Sequence, residues 1–384
     1  MGIAGVAYDS NLGITGSALR VRSTIIPMVL DGPEFWILLL LNLTVSALHH
    51  TGLFVPKDLS LELPWAMTKA TGSLMTFFVC FYNGHVFSRY TKLYHITKQM
   101  TEHVLEIVSY MRVQVKSVVA QRKIAKLLVS SVLIFFFERT QDEPGDPLAN
   151  AEEYARLRHM ELLGKEEASH LERHSVKYGL DAQPSFLVLQ WAMELMRKET
   201  EEPEGRDDML YGMYQRAYQV RKCQAEAQQV LQLPMPFQYF HIMNLMLGLN
   251  LVLWAYCLGC QDSYFAPVIY MFVQLMFQGI RELSTALSNP FGTDEVDFPI
   301  HEWMMTIHSR VYGLVEDSYD ISKSDYAFAK KLQHPDTACE YIKDFMNPEK
   351  ESVAMPVPIR NGDGYIQIFP DEPEDDMYEE YDDE

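Results

Sequence analysis

Four stretches of the chain contain no Asp, Glu, Lys or Arg, and each is about as long as a helix that crosses a membrane. They are 22, 19, 35 and 18 residues long and cover residues 35–56, 70–88, 227–261 and 263–280. An α-helix rises about 1.5 Å per residue, so roughly 20 residues cross the hydrocarbon layer. The pattern predicts an all-α membrane protein with four transmembrane helices, at 34–53, 64–87, 236–258 and 264–283. A soluble protein with four such buried helices is the less favoured interpretation.

Basic residues are unevenly distributed between these stretches. Arg20 and Arg22 precede the first span, and eight Lys and Arg residues lie at positions 89–126, after the second. Lys57 is the only basic residue in the short loops after the first and third spans. Cytoplasmic loops carry an excess of Lys and Arg. We therefore predict that both termini and the long middle segment are cytosolic. The host membrane is the plasma membrane or that of an organelle such as the thylakoid.

The overall charge is strongly acidic. Lys plus Arg total 32 and Asp plus Glu total 52, which gives a formal charge of −20. Nucleic-acid binding needs a basic face, so we expect no nucleic-acid partner. Ten of the last fourteen residues, 371–384, are acidic. That segment is either a solubilising tail or one that senses cations or docks a partner.

These patterns divide the chain into six predicted segments. A cytosolic N-terminal segment is followed by spans one and two, a helical cytosolic region, spans three and four, a second cytosolic segment and a disordered acidic tail. Their predicted ranges are 1–33, 34–90, 91–233, 234–288, 289–350 and 351–384. Within the cytosolic region, the apolar stretch 125–137 is too short to span and is predicted to be a buried helix.

Two motifs could carry chemistry but have simpler interpretations. His170 and His174 lie four residues apart on one helix face and could hold zinc, but no third ligand is placed, so a solvated charged face is favoured. Cys257 and Cys260 form a CxxC that could bind metal or cycle between redox states, although packing or a simple disulfide is favoured. The sequence contains no phosphate-binding loop or nucleophile elbow. Nothing therefore supports an enzyme.

The second span has one distinctive face. Ser73, Phe77 and Phe81 are four residues apart and so line the same side of a helix. Small neighbours, Gly72 and Gly84 among them, permit close helix approach. Packing of the rings against lipid or another helix is one interpretation. If several copies assembled around this face, the positive edges of the rings would tolerate a partly dehydrated anion without binding it tightly.

A sharp break follows the fourth span, in the segment NPFGTDEVDFP at 289–299. Asn-Pro and the following Gly end the helix there. Asp294 and Asp297 could bind a hard cation such as Ca²⁺ together with carbonyls of the turn. Asp is also a common cap of a following helix, and capping is the favoured interpretation.

Three blocks of sequence resemble the bestrophin family over roughly residues 15–315. The exit of span two, FVCFYNGHVFSRY at 78–90, is similar to the bestrophin pattern F-x-N-x-x-x-x-x-R-[WY]. The Pro-rich block LPMPFQYFHIMNLMLGLNL at 233–251 and the stretch ending in NPFGTDEVDFP resemble two further bestrophin signatures. The matching motif residues are Asn83, Arg89, Asn289, Pro290, Phe291 and Gly292.

The resemblance implies a homopentameric, gated channel for chloride, with nitrate and bicarbonate as further candidates. Its axial pore would be lined by the second span of each of five subunits in a lipid bilayer. The neck would be formed by Ser73, Phe77 and Phe81, although animal members usually carry an aliphatic residue at the first position. A second aperture would lie near Met209 and Leu210. The alternative is a non-conducting scaffold that binds partners through its cytosolic helices and acidic tail.

The resemblance also implies a calcium clasp, with no cofactor required beyond it. The acids would be Asp294 and Asp297, and the carbonyls would come from Ala286 and Asn289. A further carbonyl would come from residues 8–13 of a neighbouring subunit. Val296 interrupts the acidic cluster here, and bacterial and plant relatives carry a similar D-x-x-D without an evident clasp.

Overall fold

The structure, a computed structural model, describes residues 24–53, 61, 63, 65–140, 147–178, 183–200, 207–233, 237–292, 296–317, 359–360 and 366–367. The chain divides into two compact units, Met1–Asp317 and Ser318–Glu384. In the second unit the described residues form two short antiparallel strands, β1 (Ile359–Arg360) and β2 (Ile366–Gln367). The predicted disordered tail otherwise lies outside the described residues.

The described part of the first unit consists of helices and their connections. The helices of the predicted membrane region are α1 (Ile25–Asp31), α2 (Pro33–His50), α3 (Trp65–Gln114), α9 (Phe237–Gly259) and α10 (Ala266–Ser288). The others are α4 (Val118–Thr140), α5 (Pro147–His159), α6 (Lys165–Tyr178), α7 (Pro184–Thr200), α8 (Asp207–Gln232) and α11 (Ile300–Glu316). The all-helical prediction is thus confirmed for this unit.

Helix α3 is one continuous helix of 50 residues, which is the largest difference from the sequence prediction. It runs straight through the boundary expected at residue 90. The sequence between Trp65 and Gln114 contains no proline, so no residue in it lacks the N–H that the helix ladder needs. Apolar residues repeat every three or four positions along its whole length. The helix therefore presents one long apolar stripe.

The two halves of this stripe are buried in two separate cores. The first half packs with α9 and α10, and the second half packs with the helices of the predicted cytosolic region; we call these the α9–α10 core and the α4–α8 core. Met75, Val79 and Val86 lie in the former, whereas Met100 and Val104 lie in the latter. Tyr90 packs against both. Helix α3 therefore contributes residues to both cores and connects them through one continuous helix.

Helix α4 is buried, as its sequence predicts. Leu128, Ile134 and Phe136 are almost wholly inaccessible to solvent. Two serines in this helix are also buried, and both are hydrogen-bonded: Ser131 Oγ donates to the Ser185 carbonyl at 2.8 Å and Ser130 Oγ donates to the Leu162 carbonyl at 3.3 Å. Buried hydroxyls cost little when they find such partners.

Few of the described helices pass a test of length and apolarity for crossing a membrane. Gln238–Gly259 passes alone, and the bent pair Ile25–Asp31 and Pro33–His50 passes if it counts as one span with a 69° bend. The bend falls at Gly32, whose backbone is extended, and Pro33 begins the second helix. The count of four spans is therefore not shown and stays a prediction.

The fourth predicted span lies in α10, which carries polar residues in its middle and second half. The Gln274 side chain donates to the Phe35 carbonyl at 2.7 Å. The Arg281 guanidinium donates to Asn244 at 2.9 Å and pairs with Glu282 at 2.6 Å. Because these groups are hydrogen-bonded inside the bundle, they do not have to be solvated individually.

Candidate functional site

Ser73, Phe77 and Phe81 lie together on an exposed face of α3. Phe77 is 61% exposed and Phe81 is 58% exposed, and their rings stack with centroids 6.2 Å apart. The opposite side of the same helix carries Met75 and Val79, which are buried. The structure thus places the three predicted neck residues on one face, away from the core of their own chain.

Behind this face, Tyr239 of α9 contacts several aromatic rings. Its ring centroid lies 6.2 Å from Phe78, 6.1 Å from Phe81 and 6.0 Å from Tyr82. The Phe81 ring is therefore held against α9 on one side and is open on the other. Sequence reasoning missed Tyr239, because its position in the Pro-rich block does not indicate which helix it contacts.

Gly72 allows α3 to approach α9 closely. A Cβ atom at this position would lie only 2.7 Å from the Trp254 ring. A side chain cannot fit there without displacing α3 from α9. Gly84, the other glycine expected at a close contact, has open space beside it within the chain.

The motif residues Asn83 and Arg89 hold α3 in place. Ser284 Oγ in α10 donates to Asn83 Oδ1 at 3.0 Å. The Arg89 guanidinium donates to the Leu231 carbonyl at 3.1 Å and to the Leu233 carbonyl at 3.4 Å. Each residue hydrogen-bonds to an element more than a hundred positions away along the chain.

The loop after α10 is held by a hydrogen bond within itself and by another from Tyr90 of α3. The Phe298 N–H donates to the Pro290 carbonyl at 2.9 Å, and the Tyr90 hydroxyl donates to the Val296 carbonyl at 3.1 Å. Burial, and secondly the Asp297 carboxylate, raise the pKa of the Tyr90 phenol, which therefore remains a donor. Phe291 is fully buried and its ring meets Phe298 edge-on at 5.5 Å.

Asp297 faces the backbone of this loop and does not cap the next helix. Helix α11 has Pro299 as its N-cap, with no side-chain cap hydrogen bond, so the capping interpretation is wrong for Asp297. A Cβ atom on Gly292 would lie 2.7 Å from Asp297 Oδ2 and 3.8 Å from the Asn289 carbonyl. Two oxygen atoms of the predicted calcium clasp thus flank the same glycine.

A cavity of about 150 Å³ adjoins this loop. Two of its lining residues, Ala286 and Asn289, belong to the predicted calcium clasp, and Glu282 is a further carboxylate there. Ca²⁺ takes about six to eight oxygen ligands. Among the described residues no group of three His, Cys, Asp or Glu is placed to hold a metal ion. Asp294 and residues 8–13 lie outside the described residues, so calcium binding stays a prediction.

The remaining predicted residues are less conspicuous. Met209 lies in the first turn of α8, and its side chain is outside the described part of the chain. Leu210 is partly buried against the α4–α8 core. The His170 ring packs on Trp191 at 5.6 Å, and the His174 ring packs on Tyr178 at 4.7 Å. Aromatic packing thus accounts for the histidine pair.

Comparisons with known proteins agree on one family. A family model described as "Bacterial/Fungal Bestrophin protein" matches residues 13–312. A crystal structure of a bacterial bestrophin homologue from Klebsiella pneumoniae, carrying a mutation, superposes with a TM-score of 0.64 at 20% identity, covering 74% of this chain and 100% of that chain. A second mutant of that homologue superposes with a TM-score of 0.64 at 20% identity, covering 73% of this chain and 98% of that chain. These likenesses show the fold. No curated protein matches the chain.

Proposed function

Because the chain belongs to the bestrophin family, by the match over residues 13–312, we propose that it is an integral membrane protein that conducts anions. Chloride is the proposed main ion, with nitrate and bicarbonate as further candidates. Five copies surround one axial pore, and the α3 helix of each copy lines it. The channel has no catalytic residue.

The exposed phenylalanine face of α3 is the observation that carries this proposal. Two stacked rings are open on one side, whereas Met75, Val79 and Val86 of the same helix are buried. Large apolar side chains exposed together commonly mark a contact surface. In a pentamer, the five Phe77 side chains form one circle around the pore axis and the five Phe81 side chains form a second. The positive edges of these aromatic groups attract an anion weakly. Ser73 makes the outer end of this neck wider and more polar than an aliphatic residue would.

Ion flux from proteoliposomes tests the proposal directly. Purified protein is reconstituted, and the release of chloride, nitrate and potassium is followed with ion-selective electrodes. We expect chloride and nitrate release without potassium release. Absent flux from a correctly assembled pentamer would favour the non-conducting scaffold, and potassium release would contradict anion selectivity.

Alanine substitutions test the neck. Phe77→Ala and Phe81→Ala each remove a ring from the narrowest part of the proposed pore, so we expect at least a tenfold change in single-channel conductance or open probability. Phe272→Ala in α10 is the matched control, because Phe272 is similarly exposed, at 56%, but lies on another helix. Equal effects at all three positions would contradict the assignment of α3 to the pore.

A native cysteine offers an independent test of which helix faces the ions. Cys80 is exposed and directly precedes Phe81 on α3, whereas Cys223 and Cys257 are buried. A negatively charged methanethiosulfonate added to open Cys260→Ser channels should reduce the current, and the additional change Cys80→Ser should remove the effect. Persistent block in the double variant would show that another site is modified.

Calcium gating is a finer proposal about the same channel. The Asp297 carboxylate and the Asn289 carbonyl beside Gly292 support it. Asp297→Asn and Asp294→Ala should each raise the calcium concentration needed for half-maximal current by at least tenfold. Glu302→Gln, on an exposed part of α11, is the control. Currents that do not depend on calcium in the unmodified channel would contradict this proposal and leave anion conduction unaffected.

A further inference from the structure

Two free thiols lie at the end of α9 that is predicted to face away from the cytosol. Cys257 is buried in the last turn of α9, and Cys260 immediately follows the helix and is half-buried. The Cys260 N–H still donates to the Tyr256 carbonyl at 3.0 Å, so the helical path continues to this residue. The proposed function does not use this pair.

This end of α9 is hydrogen-bonded to the segment that leads into α3. The Tyr256 hydroxyl donates to the Leu61 carbonyl at 2.7 Å, and the Cys257 thiol donates to the Leu63 carbonyl at 3.5 Å. Leu63 precedes the first residue of α3, Trp65, by two positions. The chemical state of Cys257 is thus coupled to the residues just before the proposed pore helix.

The same end of α9 is held firmly against α2. The Asn42 amide donates to the Ala255 carbonyl at 2.7 Å, and a Cβ atom on Gly259 would lie 2.8 Å from the Val45 side chain. His49 and Asp262 interact at 3.0 Å just beyond. Because α9 is fixed on this side, loss of the Cys257 thiol would leave the Leu63 carbonyl without this donor.

Helical spacing permits the two thiols to join. Residues three apart in an α-helix have Cα atoms about 5 Å apart, and disulfides span Cα distances of about 4.4–6.8 Å. Cys260 lies after the last helical residue, so its side chain can turn towards Cys257 without breaking an inner turn of α9. The more exposed Cys260 is accessible to an oxidant, and the buried Cys257 is placed to react second.

We propose that Cys257 and Cys260 form a reversible disulfide, and that its formation releases the Leu63 carbonyl from α9 and so alters anion flux. The oxidant is a disulfide compound, such as oxidised glutathione or the disulfide of a thiol oxidoreductase. The Cys260 thiolate attacks one of its sulfurs and expels a thiol. The Cys257 thiolate then attacks the mixed disulfide at Cys260 and expels the second thiol.

The electrons and protons of this exchange balance. Two cysteine thiols are oxidised to one disulfide, and their two electrons and two protons are found on the two thiols released from the oxidant. Disulfides persist in oxidising compartments, and the side opposite the cytosol is the oxidising one in cells. The predicted topology places the pair on that side.

Thiol mapping tests the disulfide without reference to conduction. The reconstituted full-length protein is treated with oxidised glutathione or with dithiothreitol, the remaining thiols are alkylated after denaturation, and the peptides are analysed by mass spectrometry. We expect Cys257 and Cys260 to become unreactive together and to recover with dithiothreitol. Cys223→Ala should behave like the unmodified protein. Retention of both free thiols under oxidation would overturn the proposal.

A pair of substitutions at one position tests the coupling to α3. Cys257→Ser keeps a hydrogen-bond donor for the Leu63 carbonyl, whereas Cys257→Ala removes it, and neither can form the disulfide. We expect oxidation to change the anion flux of the unmodified channel at least twofold and reversibly. Cys257→Ala should match the oxidised channel and Cys257→Ser the reduced one, both without response to glutathione.

This flux readout rests on the proposed channel function, but the two can fail separately. Conduction that does not change when the mapped disulfide forms would overturn the coupling and leave the channel proposal intact. If the disulfide forms in protein that conducts under no condition, the channel proposal fails, and with it the effect on flux. Equal flux of Cys257→Ser and Cys257→Ala would also overturn the coupling.

Discussion

Arg89 shows how a single side chain can join distant parts of this fold. Its guanidinium donates to carbonyls at Leu231 and Leu233, at and just beyond the end of α8. The last carbonyls of a helix have no helical N–H partners. The motif pattern indicated Arg89 from the sequence, but its partners lie about 140 positions away and could not be predicted from local spacing.

Replacement of Arg89 should weaken this junction. Arg89→Ala leaves two partly exposed carbonyls without their donor, and a hydrogen bond of this kind contributes about 0.5–1.5 kcal/mol. We expect a lower thermal unfolding midpoint in detergent, followed by tryptophan fluorescence. Lys92→Ala is the control, because Lys92 is exposed on the same helix. Equal midpoints for the two variants would contradict the structural role of Arg89.

Gly292 permits the loop after α10 to close. Gly292→Ala would bring its Cβ atom to 2.7 Å from Asp297 Oδ2, so the carboxylate must move. Displacements of this kind typically cost about 1–3 kcal/mol. Gly313→Ala in α11 meets nothing within 4 Å and should stabilise the helix by about 0.5–1 kcal/mol. Thermal unfolding of both variants should therefore show shifts of opposite sign.

At the scale of elements, apolar periodicity predicted helices well and their limits less well. The third predicted span, 236–258, coincides closely with the helix α9, Phe237–Gly259. The second was expected to end near residue 87, whereas α3 continues to Gln114. The residues beyond 87 were assigned to a separate helical region because charged residues follow the apolar stretch, but charge by itself does not end a helix. A helix ends where a residue prevents the next hydrogen bond.

The continuity of α3 can be tested at Ser88, which is exposed near the middle of the helix. Ser88→Pro removes one helix hydrogen bond and introduces a clash, which costs about 3 kcal/mol or more. Ser88→Ala changes the same side chain without these effects. We expect Ser88→Pro to unfold in two separate calorimetric transitions and Ser88→Ala in one. A single unshifted transition for Ser88→Pro would show that the two cores do not depend on an unbroken α3.

The junction of α4 and α7 should respond to pH. The Glu138 carboxylate accepts from the N–H and Oγ of Ser185, both at 3.2 Å, at the start of α7. Burial raises the pKa of Glu138, although Arg139 and Ser185 oppose the shift. The folded protein therefore binds this proton more tightly than the unfolded chain. Stability from this group is present below the unfolded pKa, about 4.3, and is lost as pH rises through the folded pKa.

Glu138→Gln should remove that part of the pH dependence. The amide cannot ionise, and its oxygen can still accept from Ser185. We expect the unfolding midpoint of the variant to fall less than that of the unmodified protein as pH rises from about 4.3 to 7. Glu194→Gln, an exposed residue on α7, is the control. Identical pH profiles for all three proteins would exclude a role of Glu138.

At the scale of the whole molecule, formal charge is concentrated at one end of the sequence. Ten of the 52 acidic residues lie in the last fourteen positions, so their removal changes the formal charge from −20 to −10. The residues of the proposed neck carry no formal charge. In this proposal the selection of ions therefore depends on the groups that line the neck and not on the total charge of the chain. The arrangement of the helices could not be predicted from composition, because contacts such as Asn83 with Ser284 join residues 201 positions apart.

Truncation before Asp371 should therefore leave ion selectivity unchanged. We expect the chloride-to-nitrate permeability ratio, measured from reversal potentials, to agree with that of the full chain within about 1.4-fold, which corresponds to about 0.2 kcal/mol. Solubility during purification should decrease, because net charge limits association. A change of the ratio beyond twofold would show that the tail acts on the permeating ion.

The shared use of α3 by two cores also affects how the protein is made. Translation finishes α3 at Gln114 and α4 follows from Val118, but two further partners of α3 begin only at Asp207 in α8 and at Phe237 in α9. At about 5–20 residues per second, the ribosome needs roughly 5–20 s to supply the first of them. During that interval the apolar stripe of α3 has few of its final neighbours. If the predicted topology holds, one helix must be shielded during synthesis at two places, in the membrane by the insertion machinery and in the cytosol by a chaperone.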